Sequence, residues 1–155
     1  MATMVKSMAM EGLEGYPVDI EATTIKGEKQ GVSIIGLGDM AVKESGERIR
    51  AAIQATGYKM PTDKVLISLA PGDRKKHGSH YDLAMTIALL TEMGIIGKHS
   101  QDEFAIFGEL SLTGQIRPAT GILPLISAAK QCGMKKAIVP KGNLKEIGRA
   151  SCRER

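Results

Sequence analysis

The sequence predicts a mixed α/β domain, of the α+β kind, built in two layers. Three observations carry that expectation. Stretches of alternating apolar and polar residues are interleaved with stretches of helical periodicity. The turns between them are short and rich in glycine, so hairpins are expected beside crossovers. The chain has 155 residues, 43% of them hydrophobic, which suits one core of ordinary size.

The elements follow in order. Val18–Ile25 (VDIEATTI) alternates and reads as a strand. Lys26–Gly31 (KGEKQG) is turn-like, and Val32–Leu37 reads as a second strand, so the two are expected to pair as a hairpin. Asp39 is expected to cap a helix that ends at Gly57. Val42, Ile49, Ala52 and Ile53 fall on its inner face, and Glu44 and Arg48 pair on its outer face. Lys64–Ala70 (KVLISLA) is a third strand, followed by a polar loop, Pro71–Tyr81. Asp82 is expected to cap a helix to Met93, closed by Gly94, that is apolar nearly all round and therefore buried on several sides. Phe104–Gly108 and Ser111–Arg117 are expected to form another strand pair. Pro124 suits the first turn of a helix with Leu125, Ala128, Ala129 and Cys132 inward and Gly133 at its end. Lys136–Val139 is the last strand.

Composition excludes several classes. No apolar run approaches the roughly 18 residues of a membrane span, so no membrane partner is expected. Met1–Met10 has no long apolar stretch of the kind a secretory signal needs, so a cytoplasmic site is the default. Aromatic residues make up only 3%, which counts against proteins that read bases by stacking. The net charge of +4 hints at nucleic acid. Half of it, however, comes from Ile147–Arg155 (IGRASCRER), three arginines against one glutamate. That string looks like a reading frame of sequencing-adapter DNA, so residues 1–146 are expected to be the domain and 147–155 a foreign tail. Cys132 is then the single cysteine, and no internal disulfide is expected.

The chain has no GxxxxGK[ST] phosphate loop, no CxxC and no HExxH. Its histidines are His77, His80 and His99; two neighbours without a third ligand make no metal site. The densest polar cluster is the loop GDRKKHGSHYD. It sets Arg74, Lys75, Lys76, His77 and His80 just before a helix start, where free N–H groups and the positive dipole end favour an anion such as phosphate. The plain alternative is a solvated loop. Ser79, paired with a lysine or a histidine, invites a nucleophile reading. Gly108–Pro118 (GELSLTGQIRP) reads as strand, tight turn, strand, across which Glu109 and Arg117 are placed to pair.

These residues carry a resemblance. Gly15–Glu21 (GYPVDIE), Ile35–Gly38 (IGLG), Ala41–Arg50 (AVKESGERIR), Ser68–Asp73 (SLAPGD), Lys76–Gly78 (KHG), Tyr81–Leu83 (YDL) and Gly108–Pro118 resemble, in order, the start of the YifB/ComM family of bacterial magnesium-chelatase-like AAA+ proteins. The match runs from about Gly12 to Pro140. It implies a fold like the Lon proteolytic domain, of the ribosomal protein S5 domain 2-like type. Lon-type proteases use a Ser–Lys dyad. On alignment the serine position falls on His80 and the lysine position on Leu125, and Ser79 is one residue off. Both members are absent, so no catalytic residue is expected.

The family's activity lies in an AAA+ ATPase module with Walker motifs beyond this domain, so ATP and Mg²⁺ are expected for that module and no cofactor for this chain. ComM-type members are similar to hexameric helicases that promote DNA branch migration during natural transformation. The resemblance therefore implies DNA and a homo-oligomeric ring as partners of the full-length protein. This domain would serve assembly or DNA or partner binding. Two rivals stand beside that reading. One is a divergent Lon-like serine peptidase using Ser79 and His80, and the other a stand-alone RNA- or ribosome-binding module.

Overall fold

The computed structural model describes residues 3–97 and 104–151. His99 and Cys152 lie outside the described residues. Two strands, β1 (Thr3–Glu11) and β2 (Glu14–Ile25), form a long hairpin around the two-residue turn Gly12–Leu13. Sequence periodicity leaves β1 unassigned, because its small and sulfur-bearing residues (TMVKSMAME) give no clear alternation. Pro17 sits inside β2, opposite Met8. It is tolerated because the ladder to the next strand begins only at Asp19, so no partner awaits the missing N–H.

The main sheet has six strands in the order β3-β4-β2-β1-β5-β8. In it, β3 (Gly31–Ile35) lies parallel to β4 (Lys64–Ala70), and β4 pairs antiparallel with β2. The expected hairpin between Val18–Ile25 and Val32–Leu37 therefore does not form, since β4 lies between them. The reason is burial. Val65, Ile67 and Leu69 of β4 are fully buried, whereas no residue of β3 is, so β4 takes the inner place. On the far side β1 meets β5 (Phe104–Ile106) in parallel at Lys6–Ala105, and β5 pairs with β8 (Lys136–Ile138). The pair predicted between Phe104–Gly108 and Ser111–Arg117 is corrected likewise. Instead β6 (Glu109–Leu110) and β7 (Ile116–Arg117) make a separate two-stranded ribbon.

Helix α1 (Met40–Ala55) is the crossover from β3 to β4. Asp39 caps it as expected, Oδ1 accepting from the Val42 amide at 2.9 Å. Val42, Ile49, Ala52 and Ile53 are its buried face. Helix α2 (Asp82–Glu92) is buried on most sides, as its composition predicts. Asp82 is not its cap, however. Tyr81 holds that position without a side-chain hydrogen bond, and Asp82 is the first helical residue. Its carboxylate, fully buried, accepts from Ser45 Oγ (2.5 Å), Arg48 Nε (2.7 Å) and the Leu110 amide (3.1 Å). Arg48 is thereby drawn inward. Its expected partner, Glu44, is more distant at 3.8 Å.

Both α1 and α2 pack on the face carrying Val5, Ala9, Tyr16, Val18 and Ile20. Helix α3 (Ile122–Gln131) covers part of the opposite face, against Met8, Ala105 and Phe107. Leu125, Ala128 and Ala129 are buried as expected. Cys132 is exposed, because it follows the last helical turn as the C-cap instead of facing the core. A 3-10 turn (Lys141–Asn143) leads into α4 (Leu144–Ser151). The buried Asn143 side chain bonds both backbone groups of Ala119, at 2.9 and 3.1 Å, and so ties this turn to the start of α3. The boundary expected at residue 147 falls within α4. Among the described residues no helix is long and apolar enough to cross a membrane.

Candidate functional site: a cleft at the entrance to α2

The loop 71–81 joins β4 to α2 and passes beneath the β1–β2 hairpin. Its predicted cations are not a common surface. Lys76 is fully buried, and its Nζ donates to the carbonyls of Gly36 (2.6 Å) and Pro71. Its backbone also pairs with the Gly36–Asp39 turn, through the bonds Lys76 N to Leu37 O and Asp39 N to Lys76 O, both 2.9 Å. Leu37 holds a left-handed φ of 57° there. Lys76 is thus a strut between two loops, and the expectation that it meets a solvent anion is corrected. Burial pulls its amine below the ordinary lysine range, against the pull of Asp73.

Arg74 is committed as well. Its Nε donates to Glu11 at 2.7 Å, and its guanidinium lies 3.8 Å over the Tyr16 ring. His77 Nδ1 is 3.4 Å from Asp39 Oδ2. Burial pushes the Asp39 carboxyl up. The amides of Val42 and Gly78, with His77, outweigh that and hold it below the usual carboxylate range. Lys75 alone among the five is exposed without a partner among the described residues.

His80 turns inward. Its Nε2–H donates to the Met8 carbonyl at 2.9 Å, and its ring stacks on Tyr81 with centroids 3.9 Å apart. The acceptor is a carbonyl, so Nε2 must carry the proton and Nδ1 is the free nitrogen. Burial pulls the His80 pKa below its ordinary value, so the neutral ring is favoured.

Beside His80 opens a cleft of about 480 Å³. One wall is the hairpin end, with Ala9, Met10, Gly12 and Leu13, and the other is the start of α3, with Thr120, Gly121, Pro124 and Leu125. His77, His80 and Tyr81 complete it. His80 and Leu125, far apart in sequence, thus reach the same cleft. Ser79 does not line it: its hydroxyl donates to Glu109 at 2.7 Å. Glu109 stands opposite Arg117 in the β6–β7 register, yet its carboxylate serves Ser79, and Arg117 is exposed. Among the described residues no group of three or more His, Cys, Asp or Glu is placed to hold a metal.

Residues 20–143 match the family described as subunit ChlI of Mg-chelatase. The chain belongs to this magnesium-chelatase-like family. Its relatives include YifB of Escherichia coli, 37% identical over 146 residues, which cover 94% of this chain and 28% of YifB. The competence protein ComM of Haemophilus influenzae is 32% identical over 148 residues, covering 96% of this chain and 29% of ComM. A Lon protease of Trichlorobacter lovleyi is 30% identical over 152 residues, covering 93% of this chain and 18% of that protein. The chain therefore spans under a third of the length of these relatives, and the ChlI-family domain shares its mixed α/β, Lon-like character with the protease. The sequence-level reading missed Met10, Leu13 and Thr120 as parts of the cleft. Nothing in their residue types marks them; only the fold brings the hairpin tip to α3.

Proposed function

We propose that this is the non-catalytic Lon-like domain of a YifB/ComM-type protein. The observation that carries the reading is the content of the cleft. The resemblance puts the Lon nucleophile position on His80, whose Nε2–H is spent on Met8, and the lysine position on Leu125, and both residues line the cleft. An alkyl group takes no proton from a nucleophile. The peptidase rival needs Ser79 activated by His80, and the Ser79 hydroxyl is instead bonded to Glu109 outside the cleft. Casein turnover by the purified chain tests this. We expect none above the Ser79→Ala background, and turnover lost in Ser79→Ala would restore the peptidase.

For the whole protein we propose the family role: DNA processing by branch migration, in a cytoplasmic homo-oligomeric ring, driven by ATP and Mg²⁺. The present chain has no GxxxxGK[ST] segment to cradle a nucleotide, so we assign ATP and Mg²⁺ to the ATPase module that the family resemblance implies. Within that protein this domain serves assembly or binding. If DNA is its partner, the exposed Lys75 is the loop cation that is free to meet a phosphate.

A further inference from the structure

The hairpin leaves one backbone edge open inside the cleft. Glu11 and Glu14 close the two-residue turn and pair with each other. Pairing alternates along an antiparallel ladder, so the odd-numbered residues of β1 bond to β2 and the even-numbered ones face away from it. Two further observations agree. Met8 stands opposite Pro17, which has no N–H to offer, and the Met8 carbonyl is taken by His80 on the other side. On that outer side Lys6 meets β5, which ends at Ile106, and Met8 meets His80. Met10 comes next. Its N–H and C=O point outward, and no residue among those described pairs with them.

Met10 lines the cleft. So do apolar surfaces from Ala9, Tyr81, Pro124 and Leu125, and Leu13 stands at the rim with 99% of its surface exposed. Tyr81 is fully buried, and its hydroxyl has no partner. The facing helix α3 follows its N-cap Gly121 without a side-chain cap, so the amides of Ile122 and Leu123, ahead of Pro124, have no side-chain acceptor. A free strand edge, apolar walls and uncapped amides fit one ligand chemistry. That ligand is an extended peptide whose main chain pairs with Met10 and whose apolar side chains enter the cleft.

We propose that the cleft binds an extended apolar peptide segment by strand addition at Met10, without cleaving it. The proposal deepens the non-catalytic reading above and rests on it for the absence of cleavage. Phage-displayed random dodecapeptides, panned on the purified chain, provide the test. Thr120→Trp is the control, because Thr120 is exposed and an indole there fills the cleft while leaving the core intact. Met10→Pro deletes the outward N–H, together with the Met10 side chain.

The expected result is enrichment of sequences with apolar residues at alternate positions. Their binding should weaken about tenfold or more in both variants, and the Met10 amide should exchange more slowly when an enriched peptide is bound. If Met10→Pro unfolds, Thr120→Trp and amide exchange decide. Equal enrichment on Thr120→Trp, no enrichment at all, or an unprotected Met10 amide overturns the proposal. Cleavage of a bound peptide would remove the non-catalytic reading and leave the cleft assignment standing. No binding together with no casein turnover would do the reverse.

Discussion

At the scale of the residue, His80 shows how position redefines a side chain. In sequence it belongs to a run of cations, while in the fold it is a neutral ring holding a carbonyl. Its folded pKa lies below the unfolded value near 6.5. Below pH 6.5 the unfolded chain binds the extra proton first, so His80 costs stability as pH falls from 6.5 toward the folded pKa, and costs nothing above that window. Urea midpoints at pH 7.5 and 5.5 measure this. We expect the wild type to lose more stability between the two than His80→Phe, which keeps the ring stack and cannot titrate. Equal losses would show that His80 is not a source of the acid sensitivity. The same contrast explains what the sequence could not disclose about the loop. Arg74 finds Glu11 and Tyr16 on the β1–β2 hairpin, far away in the chain, as no local spacing reveals.

At the scale of the element, the buried Asp82 carboxylate binds α1, α2 and β6 together through Ser45, Arg48 and Leu110. Removing it leaves a guanidinium and an amide without their acceptor. Asp82→Ala is therefore expected to lower unfolding free energy by about 3–5 kcal/mol, measurable by urea denaturation with an unchanged m-value. A loss below about 1 kcal/mol would mean that water replaces the carboxylate. Most helices were legible because their signals are local: the Asp39 cap, the Val42–Ile49–Ile53 stripe, and glycines where each helix ends. Pairing was not legible in the same way. Whether Val32–Ile35 lies beside β2 or β4 is settled by which strand has the more deeply buried side chains and so takes an inner place, a property of the assembled sheet. The strand β1 escaped because Met, Ala and Ser carry little periodic contrast.

At the scale of the whole molecule, the family resemblance read from ordered motifs agrees with the match over residues 20–143. The dyad positions named from alignment, His80 and Leu125, meet in one cleft. The charged loop is the part that the whole molecule redefines. It buries one of the five basic residues, Lys76, and spends Arg74, His77 and His80 on protein partners, which leaves little for a polyanion. If this domain contacts DNA through that loop, Lys75→Ala should lower the slope of log K against log salt by about 0.9. Fluorescence anisotropy with labelled duplex across a salt series measures it. An unchanged slope would assign any DNA contact to another surface.

The enclosed amine of Lys76 has a consequence for labelling. Acylating reagents attack neutral amines that solvent can reach. Burial lowers the Lys76 pKa and so favours its neutral amine, yet no reagent touches it until the β4–α2 loop parts from the Gly36–Asp39 turn. Once exposed, it regains an ordinary lysine's reactivity. Lys76 is thus a built-in chronometer. The rate at which its peptide gains an acyl mass reports how often these two loops separate, while the surface lysines of the same chain record only the strength of the reagent.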